Sequence, residues 1–222
     1  MPKTYGQFCP VALACEILAE RWTPLVIREL LAGSRRFSEI QRGVPRMSPA
    51  LLTKRLETLV DVGIVERREI DDGAYHEYCL EPAGEQLRPI IEQIGEWGKR
   101  WVRGDVKEEH LDPRLLMWDI RRGVAPQELP AQRVVAKFQF WDCPSEERMY
   151  WLIIDGQDVD LCLKPPGFDV DVTIDTDLET MVAIWLGDIE VATATESGDL
   201  DIDGPRSLVL SFPDWLSTSP FA

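Results

Sequence analysis

The spacing of apolar residues changes partway along the chain, and that change constrains the fold more than any other feature. Over the first hundred or so residues apolar side chains recur three and four apart, as one buried face of an α-helix requires. Farther on, segments such as Lys137–Phe140 and Val170–Ile174 alternate with a period of two, as half-buried strands do. Charge shifts with the period. Residues 1–104 hold 15 Lys/Arg against 15 Asp/Glu, whereas residues 105–222 hold 9 against 24, so the whole net charge of −15 lies in the second part. Gly104–Pro113, between the two, is polar and lacks a sustained apolar period, as a linker does. The expected organisation is a domain at 1–104, a linker at 105–113 and a second domain at 114–222.

Several function classes drop out on composition. A chain of 222 residues, 45% hydrophobic, can build one or two packed cores. It has no apolar run near the roughly 18–20 residues needed to span a bilayer, and Met1–Pro10 lacks the order of a secretory signal. A cytoplasmic protein with no membrane partner is expected. Cys9, Cys15, Cys79, Cys143 and Cys162 form no CxxC pair, so neither a disulfide framework nor a zinc site is expected, and no cofactor is implied. His76 and His110 are the only histidines, which leaves a nucleophile without a base to activate it. A thiol-dependent enzyme using Cys9 or Cys143 is disfavoured on that ground, and the chain is not expected to be an enzyme.

Within the first part, Cys9–Glu20 and Thr23–Leu31 read as packed helices, with Thr23 as N-cap and Pro24 as the first helical residue. Phe37–Arg42 reads as a short helix ended by Gly43–Pro45. Ser48 and Pro49 form a second capping pair, opening a helix in which Leu52, Leu56 and Leu59 share one face, with Ala50, Lys54, Glu57 and Asp61 opposite and Thr53 at the flank. A short helix, a turn and a second helix with a small, polar outer face suit a recognition helix, whose first turns must approach base edges. Ile64–Ile70 and His76–Leu80 follow as strands about a turn at Asp72-Gly73, and a last helix runs from Glu81-Pro82 through Trp101. This is the winged helix-turn-helix order. The last helix carries Leu87, Ile90, Ile91, Ile94, Trp97 and Trp101 on one broad stripe, more apolar surface than a small domain covers by itself, so a partner surface is expected there.

Cys9–Val11, Glu20–Trp22, Leu25–Leu30, Arg36–Ile40, Ser48–Leu56, Gly63–Arg67 and Glu77-Tyr78, in this order and at these intervals, resemble the HxlR-type winged-helix regulators over about residues 8–103. The resemblance implies a transcriptional regulator that binds double-stranded DNA as a homodimer through its first and last helices, with each recognition helix in a major groove. Ser48, Thr53 and Lys54 are the candidate groove residues, and Arg35, Arg36 and Arg46 the candidate phosphate contacts. Arg55, at the edge of the leucine face, is expected to lay its stem along that face and to orient the helix through an ion pair. Cys9 stands where similar proteins carry their family cysteine, which makes it the redox candidate. Two departures are visible: the wing turn Asp71–Gly73 is acidic where a phosphate contact would want Lys or Arg, and Glu81 is a weaker cap than the Thr usual before Pro82.

In the second part Val134–Trp141, Met149–Ile154, Leu161–Leu163, Val170–Ile174 and Leu200–Ile202 read as strands, Leu178–Leu186 as a helix and Leu208–Leu216 as an amphipathic segment. A mixed sheet covered by helices on one side follows. Asp169–Asp175, Leu186-Gly187 and Gly198–Gly204 resemble the sterol carrier protein family. The resemblance implies an apolar ligand, with Trp118, Phe138, Phe140, Trp151, Met181 and Trp185 as candidate lining, although large aromatics are more often plain core. The expected class is therefore α+β: a winged helix-turn-helix domain followed by a mixed α/β, sterol-carrier-like domain for effector binding or dimerisation. The alternative is a lipid carrier whose winged helix serves protein contacts.

Overall fold

Leu52, Leu56 and Leu59 have no exposed surface in the computed structural model, which describes residues 4–70, 75–102 and 107–220. The chain divides into two units, Met1–Arg103 and Gly104–Ala222, and each is described here by itself. The expected wing turn Asp71–Gly73 lies outside the described residues, as does the start of the expected linker.

The first unit begins with α1 (Pro10–Leu18) and α2 (Thr23–Leu31). The cap of α2 is not Thr23 but Trp22, in the left-handed region at φ +78°. The tight turn after α1 is the reason: the Thr23 amide donates to the Glu20 carbonyl at 3.0 Å, which starts the helix one residue early and leaves Thr23 buried inside it. Helix α3 (Phe37–Gly43) and helix α4 (Pro49–Asp61) follow, with the leucine face of α4 against Val26, Ile27 and Ile40 in one core.

Strands β1 (Val65–Ile70) and β2 (Tyr75–Leu80) pair antiparallel, from Val65 opposite Leu80 to Ile70 opposite Tyr75. The segment before α3 joins them as a short third strand: Arg36 bridges Glu77, and the Tyr78 amide donates to the Arg35 carbonyl at 2.8 Å. The single last helix expected from Glu81 is instead two, α5 (Pro82–Glu85) and α6 (Arg88–Trp101). Pro89 causes the break, because its ring would clash with the carbonyl four residues back and it has no N–H to continue the ladder. Gly84 in α5 sits close to the start of the wing; a Cβ there would come within 2.4 Å of the Ile64 carbonyl oxygen.

One charged group lies wholly inside this unit. The Glu29 side chain has no exposed surface; Arg28 Nη2 donates to its Oε1 at 2.7 Å and also to the Gly43 carbonyl at 2.9 Å, and the Ser34 hydroxyl lies 3.4 Å from Oε2. The carboxylate thereby joins α2 to the end of α3.

The second unit holds a five-stranded sheet in the order β5-β4-β3-β6-β7. It starts with α7 (Pro113–Gly123), capped by the Asp112 carboxylate, which accepts from the Arg114 and Leu115 amides. Part of the expected linker is thus a helix start. Strands β3 (Val134–Phe140), β4 (Met149–Asp155) and β5 (Asp158–Cys162) form an antiparallel meander, and β6 (Val172–Thr176) lies parallel to β3. After β6 come α8 (Leu178–Trp185), capped by Asp177, then α9 (Val191–Ser197) and β7 (Leu200–Asp203), antiparallel to β6. The expected amphipathic segment at 208–216 lies in two short helices, α10 (Arg206–Leu210) and α11 (Phe212–Leu216), with Pro213 in the first turn of the second.

Alternation along the strands builds one core. Ala136, Phe138 and Phe140 of β3 and Val172 and Ile174 of β6 point to the face covered by α7, α8 and α11. On the opposite face Lys137 Nζ donates to Gln139 Oε1, and Gln139 Nε2 to Asp175 Oδ2, at 3.0 and 3.1 Å.

An alanine methyl at Gly43 would lie 1.9 Å from the Glu29 carboxyl carbon. Gly43→Ala is expected to lower unfolding free energy by about 3–5 kcal/mol, because displacing the carboxylate strips a buried charge of its partner. Urea titration checks this. A loss under about 1 kcal/mol would show that α3 shifts without breaking the pair.

Candidate nucleic-acid interface

The start of α4 is defined by hydrogen bonds on both sides. Ser48 is its N-cap, with the hydroxyl accepting from the Leu51 amide at 3.4 Å and Pro49 opening the first turn. The preceding turn is tied down from α3: the Gln41 side-chain amide donates to the carbonyls of Val44 at 3.2 Å and Met47 at 2.8 Å. Val44 and Met47 are themselves buried. The turn and the helix it introduces therefore form one rigid piece.

Burial of the leucine face turns Ala50, Thr53, Lys54 and Glu57 outward, and all four are exposed. Thr53 donates its hydroxyl back to the Pro49 carbonyl at 3.1 Å, which presents its methyl and one oxygen lone pair at the surface. Arg46 is exposed in the turn just before the cap. Arg55 acts differently: its Nη2 meets Glu20 Oε2 at 2.7 Å and its Nε donates to the Arg21 carbonyl at 3.2 Å. Its guanidinium, 13% exposed, ties α4 to the turn between α1 and α2, in keeping with the orienting ion pair expected of it.

Arg35 and Arg36 lie at the entrance to α3, both exposed. Glu39 Oε2 accepts from both backbone amides at 2.9 Å. The Arg35 guanidinium donates to the buried Cys79 thiol at 3.1 Å, and that of Arg36 stands 5.7 Å from the Tyr75 ring centroid. The fold thus gathers Arg35 and Arg36 at the root of the wing, while Arg46, Ser48, Thr53 and Lys54 belong to the turn and first turns of α4. Sequence reasoning missed Glu39 and Gln41, which hold these groups in place. Glu39 had a signal, since it stands three residues after Arg36 at capping-box spacing. Gln41 had none, because its partners are carbonyls of a loop.

The other candidates fall elsewhere. Cys9 is the N-cap residue of α1, where the amides of Ala12 and Val11 hold its thiol below the ordinary value. Burial, reinforced by Asp142, pushes the Cys143 thiol up to about 11, which keeps it protonated at neutral pH. Trp118, Phe138, Phe140, Trp151, Met181 and Trp185 are all buried, and Phe138, Phe140, Met181 and Trp185 belong to the packed core of the second unit. Along α6, Ile90, Ile94, Trp97 and Trp101 are 45–69% exposed, and Pro89, Ile90, Gln93, Ile94 and Trp97 line an open groove of about 610 Å³. On α1, Val11 and Leu13 are likewise exposed. Among the described residues no cluster of His, Cys, Asp and Glu is placed to hold a metal ion, and no helix is long and apolar enough to cross a membrane.

Residues 17–106 match the model of the HxlR-like helix-turn-helix family. The HTH-type transcriptional regulator YvaP of Bacillus subtilis is 38% identical over 99 residues, covering 44% of this chain and 92% of that protein. The regulator Rv3095 of Mycobacterium tuberculosis is 37% identical over 119 residues, covering 48% of this chain and 73% of its own length. The solved reduced form of the B. subtilis regulator YodB is 30% identical, with a TM-score of 0.39, covering 43% of this chain and 96% of that one.

Removing the α4 cap should be felt in stability. Ser48→Ala is expected to lower it by about 1 kcal/mol, read as a fall in Tm, whereas Ser48→Asn should keep most of it. Equal Tm values for the alanine variant and the wild type would show that the 3.4 Å contact contributes nothing.

Proposed function

The chain belongs to the HxlR-like helix-turn-helix family and is a DNA-binding transcriptional regulator of that type; on this premise we propose that it binds duplex DNA as a homodimer, with α4 of each protomer in a major groove. The observation that carries the reading is the orientation of α4. Its leucine face is buried and its cap and preceding turn are pinned, which presents Ser48, Thr53 and Lys54 outward on a fixed helix. Ser48, Thr53 and Lys54 are assigned to base edges, and Arg35, Arg36 and Arg46 to phosphates on either side. The dimer is assigned to α1 and α6, whose exposed Val11, Leu13, Ile94, Trp97 and Trp101 form the apolar surface that a second copy would cover. We assign no effector to the second unit; four of the six expected lining residues, Phe138, Phe140, Met181 and Trp185, are taken up in its packed core.

A two-fold dimer requires half-sites roughly 34–36 Å apart, one helical turn, or a multiple of that. Duplexes selected by the protein from random-sequence DNA should show that symmetry. Lys54→Ala should weaken binding to such a site by about 1–3 kcal/mol, roughly 5–150-fold, in a mobility-shift titration at moderate salt. Unchanged affinity would remove Lys54 from the interface.

A second reading concerns control. The Ala12 and Val11 amides favour the Cys9 thiolate, and Cys9 lies on the helix assigned to the dimer, so this thiol is read as a redox or electrophile switch. The lowered value raises the thiolate fraction near neutrality, whereas the Cys143 value of about 11 suppresses it. At pH 7.5 an alkylating reagent should therefore modify Cys9 well ahead of Cys143, as peptide mass spectrometry would show. Cys9→Ser should make DNA binding insensitive to a quinone or peroxide. If quinone still releases the DNA from Cys9→Ser, the switch lies elsewhere.

A further inference from the structure

Several arginines of the first unit have their charge met by a carboxylate: Arg28 pairs with Glu29, Arg55 with Glu20, Arg68 with Glu66 and Arg88 with Glu85. Arg36 is held in another way. Its backbone is fixed twice, by the bridge to Glu77 and by the Glu39 carboxylate on its amide, and its guanidinium stands 5.7 Å from the centre of the Tyr75 ring. Tyr75 is the first residue of β2 and is 57% exposed, so it contributes little to the core.

From this geometry we infer that Tyr75 is a positioning residue for DNA binding, holding the Arg36 guanidinium ready for a DNA phosphate. The inference rests on the assignment of Arg36 to the backbone of the duplex. A carboxylate partner would neutralise the guanidinium and occupy its N–H donors. An aromatic face does neither, because it brings no counter-charge and no oxygen acceptor, so the guanidinium keeps its charge and its N–H donors for phosphate oxygens. It also narrows the rotamers of a long exposed side chain before DNA arrives, which removes part of the ordering cost at binding. Glu39 supports the same arrangement by accepting from the backbone amides of Arg35 and Arg36, which holds the two residues without using up the guanidinium of Arg36. The wing root thereby does what the acidic turn Asp71–Gly73 is ill suited to do, which is to offer positive charge to the backbone.

The test is a double-mutant cycle in the full-length protein, with a duplex that the wild type selects from random-sequence DNA, titrated over a series of salt concentrations. Arg36→Ala should reduce the magnitude of the slope of log K against log salt by about 1.8, the signature of one lost phosphate contact in each protomer of the dimer. Tyr75→Leu should weaken binding about two- to fivefold when Arg36 is present and not at all in the Arg36→Ala background. Tyr75→Phe, which keeps the ring and loses the hydroxyl, should bind as the wild type does. An unchanged salt slope in Arg36→Ala overturns the phosphate assignment itself. If the slope falls but Tyr75→Leu weakens binding equally with and without Arg36, the assignment stands and the positioning role of Tyr75 is overturned. The same follows if Tyr75→Leu binds normally or if Tyr75→Phe binds as poorly as Tyr75→Leu. Thermal unfolding of each variant separates these results from loss of fold, and Tyr75→Phe keeps the test open if the leucine variant does not fold.

Discussion

A carboxylate without exposed surface is the most demanding group in the first unit, and the geometry around it follows from satisfying it. Desolvating Glu29 is tolerable only because Arg28 delivers two N–H groups to it and Ser34 stands at the other oxygen. The same Arg28 nitrogen reaches the Gly43 carbonyl, so the ion pair dictates where α3 ends and how closely its last residue approaches α2. Only a residue without Cβ fits at that contact. The turn that Gln41 then holds, and the orientation of α4 beyond it, inherit their position from this node. A surface assigned to DNA is thus carried on a charged contact more than a turn of helix away from it.

Local signals made part of this legible in the sequence. The Ser48-Pro49 start, the three- and four-residue spacing of Leu52, Leu56 and Leu59, and the two strands of the wing root are all properties of a few neighbouring residues, and they stand as expected. Elements decided by competing local signals were misplaced. Asp112-Pro113 is the same kind of helix start as Ser48-Pro49, yet its polar surroundings read as linker. Pro89 lies within an apolar period that reads as one unbroken helix and Pro213 within a segment that reads as amphipathic, although each proline starts a new helix. Trp22 adopts a backbone conformation that a bulky residue rarely takes, and no pattern in the residues around it announces that.

The candidate surface shows the same division. Exposure of Thr53 and Lys54 follows from helical periodicity alone, and so was legible. What holds Arg35 and Arg36 was not, because Tyr75 and Cys79 are some forty residues away in sequence and reach them only through strand pairing. Burial of Trp118 and Trp151 was equally open in the sequence, where a core aromatic and a ligand-lining aromatic look alike.

Charge and apolar surface are linked in this protein through DNA affinity. The first unit carries no net positive charge, several of its arginines are held by carboxylates, and the second unit brings the whole net charge of −15. One copy therefore presents few phosphate contacts, and without net positive charge its long-range attraction to DNA is weak. In the proposed dimer, affinity comes from two copies acting together. When one recognition helix is seated, a partner joined rigidly to it meets its half-site at high effective concentration, and the two modest contributions add in free energy. The exposed Ile94, Trp97 and Trp101 of α6 fit that requirement, since burying aromatic area is the means by which a small domain can hold a second copy without using charge. The proposed apolar dimer contact and the sparse basic surface then fit one condition: a neutral DNA-binding domain attached to an acidic one.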